Sequence, residues 1–205
     1  MFGFRSVSRS DARSGGVWSP AETAGRLVEL SGPARTTLAF SLILAAQQKR
    51  EPVAFIRVGN ASLFFPQDAA DSGVDLAALP IVTVPAGAAG TGAQCAARAA
   101  DLLLRSGAFG LVVLDLEDDG ALPMPMQSRL VGLAHKHGAT ILCLTKKHAS
   151  AASISSLVSL RAQARHSIEE PRNGRVRCGV EITKDKHRGP GWTHDEVLRG
   201  PPGLR

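Results

Sequence analysis

The chain contains 205 residues, of which 44% are hydrophobic and 20% charged, and this length suits one α/β domain with a sizeable core. No apolar run is long enough to cross a membrane. The first residues lack the apolar stretch of a secretory leader, so we expect a cytoplasmic protein without membrane contact. Cys95, Cys143 and Cys178 are far apart and form no C-x-x-C pair, which predicts reduced thiols and no metal site.

The formal charge is +6 and the isoelectric point is about 9.8. Two explanations stay open: a basic surface that binds nucleic-acid phosphates, or solubility combined with an arginine-rich composition. The chain has no tyrosine and only 4% aromatic residues, which argues against a surface that stacks the bases of a single strand.

Segments rich in glycine, proline and serine divide the chain into three parts. We expect residues 1–24 to form a flexible arm, residues 25–188 a core domain, and residues 189–205 a loose Gly- and Pro-rich tail. Trp18 is an exception within the arm, and we expect it to pack on the domain.

Apolar runs alternate with helical spacings through the core. The predicted strands are residues 26–31, 53–58, 81–84, 111–116, 140–145, 157–165 and 175–184. The predicted helices are residues 34–49, 66–71, 93–106 (with Thr91 as N-cap) and 127–137. This alternation predicts an α/β fold with a mostly parallel, twisted sheet flanked by helices. The last two strands, joined by a turn at residues 171–174, predict an antiparallel hairpin at the sheet edge.

The first strand leads through a tight turn into the first long helix, which is the setting of a phosphate-binding P-loop. A complete P-loop needs G-x-x-x-x-G-K-[ST], whereas this chain has the segment Gly32-Pro33-Ala34-Arg35-Thr36-Thr37. The second glycine and the lysine are missing, so the sequence predicts a nucleotide-site scaffold whose binding loop is too short.

From about residue 25 to about residue 188, the order and spacing of short motifs resemble the RecA family of recombinases. The matching segments are residues 25–33, 54–56, 73–76, 100–108, 111–115 and 184–186. The resemblance implies a RecA-like core. It also implies a partner interface at Lys184 and Lys186, which look like the family's K-x-K lysines that reach the nucleotide of a neighbouring protomer.

The departures from the family pattern fall on the nucleotide site. The loop is three residues short and lacks its lysine, the glutamate that follows the second strand aligns with Gly59, and the γ-phosphate-sensing glutamine aligns with Lys146. Asp115 keeps the Walker B position. The resemblance therefore implies a protein that is not an enzyme and has no cofactor and no metal. Its degenerate nucleotide site consists of Gly32, Pro33, Arg35, Thr36, Thr37 and Asp115.

The two DNA-binding loops of the family are also shortened, to about residues 117–126 and 146–156, which argues against filament-style DNA binding. Weak phosphate contact stays open through a set of basic residues. These are Lys146, Lys147, Arg161, Arg165, Arg172, Arg175 and Arg177. Arg175 and Arg177 alternate along one strand face, and this pattern fits either a basic stripe or an ordinary solvated face.

Among RecA-like proteins with decayed ATP sites, the chain resembles the ImuA group in size, lost P-loop and shortened loops. That resemblance implies a nucleoid-associated accessory protein of SOS-induced translesion DNA synthesis. Its partners would be RecA and translesion polymerase subunits, and it would modulate RecA activity. Two alternatives stay open. One is a basic DNA-binding module, and the other is a weak DNA-dependent ATPase in which Arg35 replaces the lysine.

Overall fold

In the computed structural model, which describes residues 16–59, 66–85, 91–117, 122–166 and 175–199, strands and helices alternate along the chain. The helices are α1 (Pro20–Thr23), α2 (Arg35–Gln48), α3 (Pro66–Asp71), α4 (Gly92–Arg105) and α5 (Met124–His137). The strands are β1 (Leu27–Ser31), β2 (Val53–Val58), β3 (Ile81–Val84), β4 (Leu111–Glu117), β5 (Thr140–Thr145), β6 (Leu160–His166), β7 (Arg175–Asp185) and β8 (Thr193–Arg199).

All of these strands belong to one mixed sheet in the order β3-β2-β4-β5-β1-β6-β7-β8. The pairs from β3 to β6 are parallel, and β7 and β8 are added antiparallel. This confirms the predicted fold class. Strand β1 lies between β5 and β6 and is buried along its whole length, as expected of a central parallel strand covered on both faces.

The helices cover the two faces of the sheet and create two apolar layers. On one face α2 packs with Leu38 and Ile43 fully buried, and the rings of Phe40 and Phe55 stack with their centroids 5.9 Å apart. On the other face α4 and α5 pack through residues such as Ala96 and Leu130. Helix α2 is buried over a wide arc, which includes consecutive residues such as Leu38, Ala39 and Phe40.

Local signals set the ends of α4 and α5. Thr91 caps α4 as predicted, and it forms a capping box in which the backbone and side chains of Thr91 and Gln94 bond reciprocally. Helix α5 begins at Met124, three residues earlier than predicted, because a proline in the first turn of a helix costs no hydrogen bond. It ends at His137, and the next residue, Gly138, is its C-cap, with a φ of 65° that suits the left-handed conformation.

The regions predicted to be a loose arm and a loose tail are partly built into the domain. Trp18 is buried and its indole N–H donates to the carbonyl of Leu38 at 3.1 Å, which confirms the predicted packing of Trp18. The prediction of a loose tail is wrong for residues 193–199, which form β8 against β7. The polar sequence of β8 gives no apolar alternation that would predict a strand. The buried ring of Trp192, on which Gly16 lies, holds the start of β8 against the domain. Residues 1–15, 200–205 and the predicted turn at 171–174 lie outside the described residues.

The start of β6 also differs from expectation. Strand β6 begins at Leu160 and not at 157, because Ser155 organises a turn in which its hydroxyl accepts from the backbone N–H of Leu157 at 2.9 Å. Within the described residues, we find no helix with the length and apolar character of a membrane span.

Candidate functional site

The connection between β1 and α2 consists of Gly32, Pro33 and Ala34, and it is closed by its own hydrogen bonds. The backbone N–H of Arg35 donates to the carbonyl of Gly32 at 3.3 Å, and the Arg35 guanidinium donates to the same carbonyl at 3.3 Å. Arg35, the cation nearest in sequence to the position of a P-loop lysine, is therefore folded back onto the turn.

Gly32 also presses this turn against β6. Its φ is 99°, and an added Cβ would lie 2.1 Å from the carbonyl oxygen of Ala164 and 3.0 Å from the amide nitrogen of Gln163. The hydroxyl of Ser31 donates to the side-chain oxygen of Gln163 at 2.9 Å. The turn thus lies directly on β6, where a longer loop would need space.

The other residues of the predicted nucleotide site lie along the same edge of the sheet. Thr36 and Thr37 occupy the first turn of α2 and are partly exposed, and Asp115, near the end of β4, is 8% exposed. In register, Asp115 lies beside Leu144 of β5, which in turn lies beside Leu30 of β1. The structure therefore brings the predicted residues to the carboxyl edge of the parallel strands, where open α/β sheets bind ligands.

The residues at this edge do not fit the nucleoside triphosphate that the resemblance implies. Pro33 has no N–H group, the N–H of Arg35 is used within the turn, and Gly59 offers no side chain at the end of β2. A triphosphate cradle requires a series of backbone N–H donors and a lysine that reaches the phosphates. The observed turn supplies neither.

A buried carboxylate, which the sequence reasoning did not single out, organises the neighbouring part of this edge. Glu29 in β1 is fully buried, and its carboxylate accepts from the hydroxyl of Ser153 at 2.6 Å and from the backbone N–H of Ile154 at 3.1 Å. It also pairs with Arg161 at 3.5 Å and accepts from Thr145 at 3.4 Å. A single charged residue inside the apolar run of β1 is the sequence signal of such a buried carboxylate.

Arg161 also holds the segment 146–156 against the sheet. Its guanidinium donates to the carbonyls of Ala151 at 2.7 Å and His148 at 3.2 Å, and the residue is 8% exposed. Lys147 adds a bond to the carbonyl of Ala152 at 3.1 Å. The structure thus places Arg161, a predicted DNA contact, in internal contacts, and the segment 146–156 is tied to the sheet.

The other predicted DNA contacts are spread over this part of the sheet. Lys146 and Arg177 are exposed. Arg175 stands opposite Arg199 in the β7–β8 register, while its side chain lies outside the described part of the structure. The basic stripe of Arg175 and Arg177 therefore stays a prediction.

Lys184 and Lys186 converge on one acceptor. Their ammonium nitrogens lie 3.4 and 2.9 Å from the carbonyl oxygen of Ser156. Burial lowers the pKa of Lys184, and the neighbouring charges of Lys186 and Arg161 lower it further, against the opposing effect of Glu29. Two cations are therefore held side by side at the end of β7.

Asp185, between these two lysines, has a structural role. Its carboxylate pairs with Arg26 at 2.6 Å and accepts from the backbone of His187 at 2.8 Å and the indole of Trp192 at 3.1 Å. Burial alone would raise the pKa of Asp185, but these donors lower it to about 2. The pair joins the start of β1 to the end of β7 and fixes the position of Lys184 and Lys186, which flank Asp185.

The three cysteines differ in burial. All three are free thiols; Cys143 and Cys178 are buried and Cys95 is partly exposed. Burial, assisted by the charge of Glu196, raises the pKa of the Cys178 thiol to about 11, and burial also raises that of Cys143. In the part of the chain that the structure describes, no group of three or more metal-ligating side chains comes together.

Comparisons with known proteins identify the fold. The crystal structure of the RadB recombinase is similar to this chain with a TM-score of 0.58, and the match covers 84% of this chain and 87% of that one at 17% sequence identity. At this identity the likeness shows the fold alone. No protein-family model matches the chain, and no curated protein matches it by sequence.

Proposed function

We propose that this chain, which has a RecA-like fold, is a non-catalytic accessory protein of SOS-induced translesion DNA synthesis. In this proposal it acts at the nucleoid, binds RecA or a translesion polymerase subunit, and modulates RecA activity. The observation that carries the proposal is the short turn from Gly32 to Ala34, which is closed onto itself and onto β6. A RecA-like scaffold that lacks the nucleotide-binding loop can still act by binding other proteins through its surface.

Titration calorimetry with ATP and magnesium tests the non-catalytic part. We expect no binding heat, because the turn offers neither the ring of N–H donors nor the lysine. Micromolar binding that Arg35→Ala abolishes would instead support the weak ATPase, because it would show that arginine replaces the lysine.

The proposed contact with RecA uses Lys184 and Lys186. Their ammonium groups now share the carbonyl of Ser156, and phosphate oxygens of a nucleotide bound to an adjacent RecA protomer are stronger acceptors for them. A chain that presents these lysines and binds no nucleotide of its own has one competent face of a heterologous interface, so it would cap one end of a RecA filament.

A pull-down of RecA with the tagged chain tests this contact. We expect Lys184→Ala/Lys186→Ala to lose RecA, whereas Lys49→Ala/Lys136→Ala, which removes the same charge from two other exposed lysines, keeps it. Equal retention of RecA by both double variants would count against the proposed surface.

Binding of single-stranded DNA is the second candidate, favoured by the exposed positions of Lys146 and Arg177 and by the formal charge of +6. Fluorescence anisotropy with a labelled oligonucleotide over a salt series tests it. Phosphate binding predicts a steep loss of affinity with salt and its abolition in Arg175→Glu/Arg177→Glu. A salt-independent or absent signal would eliminate this candidate.

A further inference from the structure

Helices α4 and α5 form an open groove on the face of the sheet opposite α2. The groove has a volume of about 330 Å³ and is lined by Ala97, Arg98, Asp101, Leu102, Met126, Arg129 and Leu130. Its lining residues lie one helical turn apart on both sides, as in the pairs Arg98–Leu102 of α4 and Met126–Leu130 of α5, so each helix contributes one stripe. Leu102 is 62% exposed, which is unusual for leucine in the middle of a helix that buries its other apolar face.

The rim of the groove is basic. Asp101 pairs with Arg129 across the groove and with Arg105 at 3.7 Å along α4, so two guanidinium groups surround one carboxylate. Arg98 adds a third exposed cation. An apolar floor between positive edges is complementary to an apolar stripe between negative edges.

We propose that this groove binds an acidic amphipathic helix of a partner protein. The stripe from Ala97 to Arg105 rises about 12 Å, or about two helical turns, which matches the anchors of a helix laid in a groove. Leucine-type side chains of the partner would cover Leu102, and glutamate or aspartate beside them would face Arg98 and Arg129. This surface lies on α4 and α5, so the inference does not depend on the proposed contact of Lys184 and Lys186 with RecA.

Charge selects this occupant over the two terminal segments of the same chain and over a second copy of it. Residues 1–15 carry Arg5, Arg9 and Arg13 against one acid, Asp11, and residues 200–205 contain Arg205 and no acid. A second copy of the chain would bring a formal charge of +6 to a basic rim. Each of these occupants would be repelled at the edges of the groove.

The test uses the full chain and two synthetic helical peptides labelled with fluorescein. The first peptide has leucine on one face and glutamate on its flanks, and the second has lysine in place of every glutamate. Fluorescence anisotropy should show binding of the glutamate peptide that weakens about tenfold or more in Leu102→Glu. Val197→Glu places the same residue at another exposed apolar position, on β8 (53% exposed), and should leave binding unchanged. Arg98→Glu should weaken the glutamate peptide and strengthen the lysine peptide.

Methionine methyl NMR locates the bound peptide. The chain contains three methionines, Met1, Met124 and Met126, and Met126 lines the groove while Met124 is exposed outside it. We expect the largest shift at the Met126 methyl group. The proposal is overturned if the glutamate peptide does not bind, if both peptides bind equally, or if Leu102→Glu and Val197→Glu behave alike. It is also overturned if sedimentation shows a wild-type dimer that Leu102→Glu dissociates, because a second copy would then occupy the groove.

Discussion

Replacement of Asp185 by asparagine removes the negative charge from a buried ion pair while keeping the shape of the side chain. The Arg26 side chain is 2% exposed and that of Asp185 is fully buried. In the variant, Arg26 keeps the carbonyl of Ser159 at 2.8 Å and a more distant contact with Glu22 at 3.8 Å. A buried cation therefore loses its nearest counter-charge.

Two independent arguments give the size of the effect. The pKa of Asp185 falls from an ordinary 3.8 to about 2 in the folded protein, and a shift of this size corresponds to about 2.5 kcal/mol of stability. Removal of one partner of a buried pair costs about 3–5 kcal/mol. We therefore expect Asp185→Asn to lower the free energy of unfolding by about 3 kcal/mol at neutral pH.

Urea unfolding followed by circular dichroism at several pH values measures this change. Because the folded pKa is depressed, the stabilisation is complete above the ordinary pKa of 3.8 and is lost as the pH falls towards 2. The difference between wild type and variant should therefore shrink over that range. Asp195→Asn is the matched control, since the Arg165–Asp195 pair is about half exposed and should contribute less than about 1 kcal/mol. Equal losses in the two variants at neutral pH would refute the reasoning.

Three further changes test other parts of the structure. Gly32→Ala should destabilise the fold by about 2 kcal/mol or more in urea unfolding, because its φ is 99° and the new Cβ would meet a backbone oxygen at 2.1 Å; a loss below about 0.5 kcal/mol would contradict the tight turn. Burial raises the pKa of Glu196 against the opposing effects of Ser41 and His194. The contribution of Glu196 to the free energy of unfolding is therefore present below its ordinary pKa of 4.5 and is lost as the pH rises through the folded value. Glu196→Gln should remove this loss in urea unfolding at several pH values, and a variant with the pH dependence of the wild type would contradict it. Alkylation at neutral pH, mapped by mass spectrometry, should modify Cys95 before Cys143 and Cys178, because the latter two are buried with raised pKa values; early modification of Cys143 would contradict its burial.

The course of the sheet could be predicted from sequence because its strands are apolar runs and its helices carry local signals. The run from Leu111 to Leu116 and the cap at Thr91 are examples of such signals. Strand β8 could not be predicted in this way. Its polar residues are held in the sheet by pairing with β7 and by the neighbouring Trp192. Both are tertiary contacts, which a local sequence pattern does not reveal.

The candidate site was predictable in position and not in its contacts. The resemblance to the RecA family implies one site for Gly32 and Asp115, and the structure places both at the carboxyl edge of the parallel strands. The pairing of Glu29 with Arg161 depends on the strand order, which places β1 beside β6. A sequence pattern assigns a side chain to a face of a strand, but it does not identify the neighbouring strand. For this reason the sequence alone leaves Arg161 among the candidate phosphate contacts.

Electron microscopy of RecA filaments tests the central claim most directly. Filaments grown on single-stranded DNA with an ATP analogue should become shorter when this chain is added in less than equimolar amount, because each bound copy ends one filament. The effect should disappear with Lys184→Ala/Lys186→Ala and persist with Lys49→Ala/Lys136→Ala. Two results would contradict the claim that this RecA-like chain acts through its partner-binding surface. One is that the wild-type chain leaves filament lengths unchanged, and the other is that Lys184→Ala/Lys186→Ala shortens filaments as much as the wild type does.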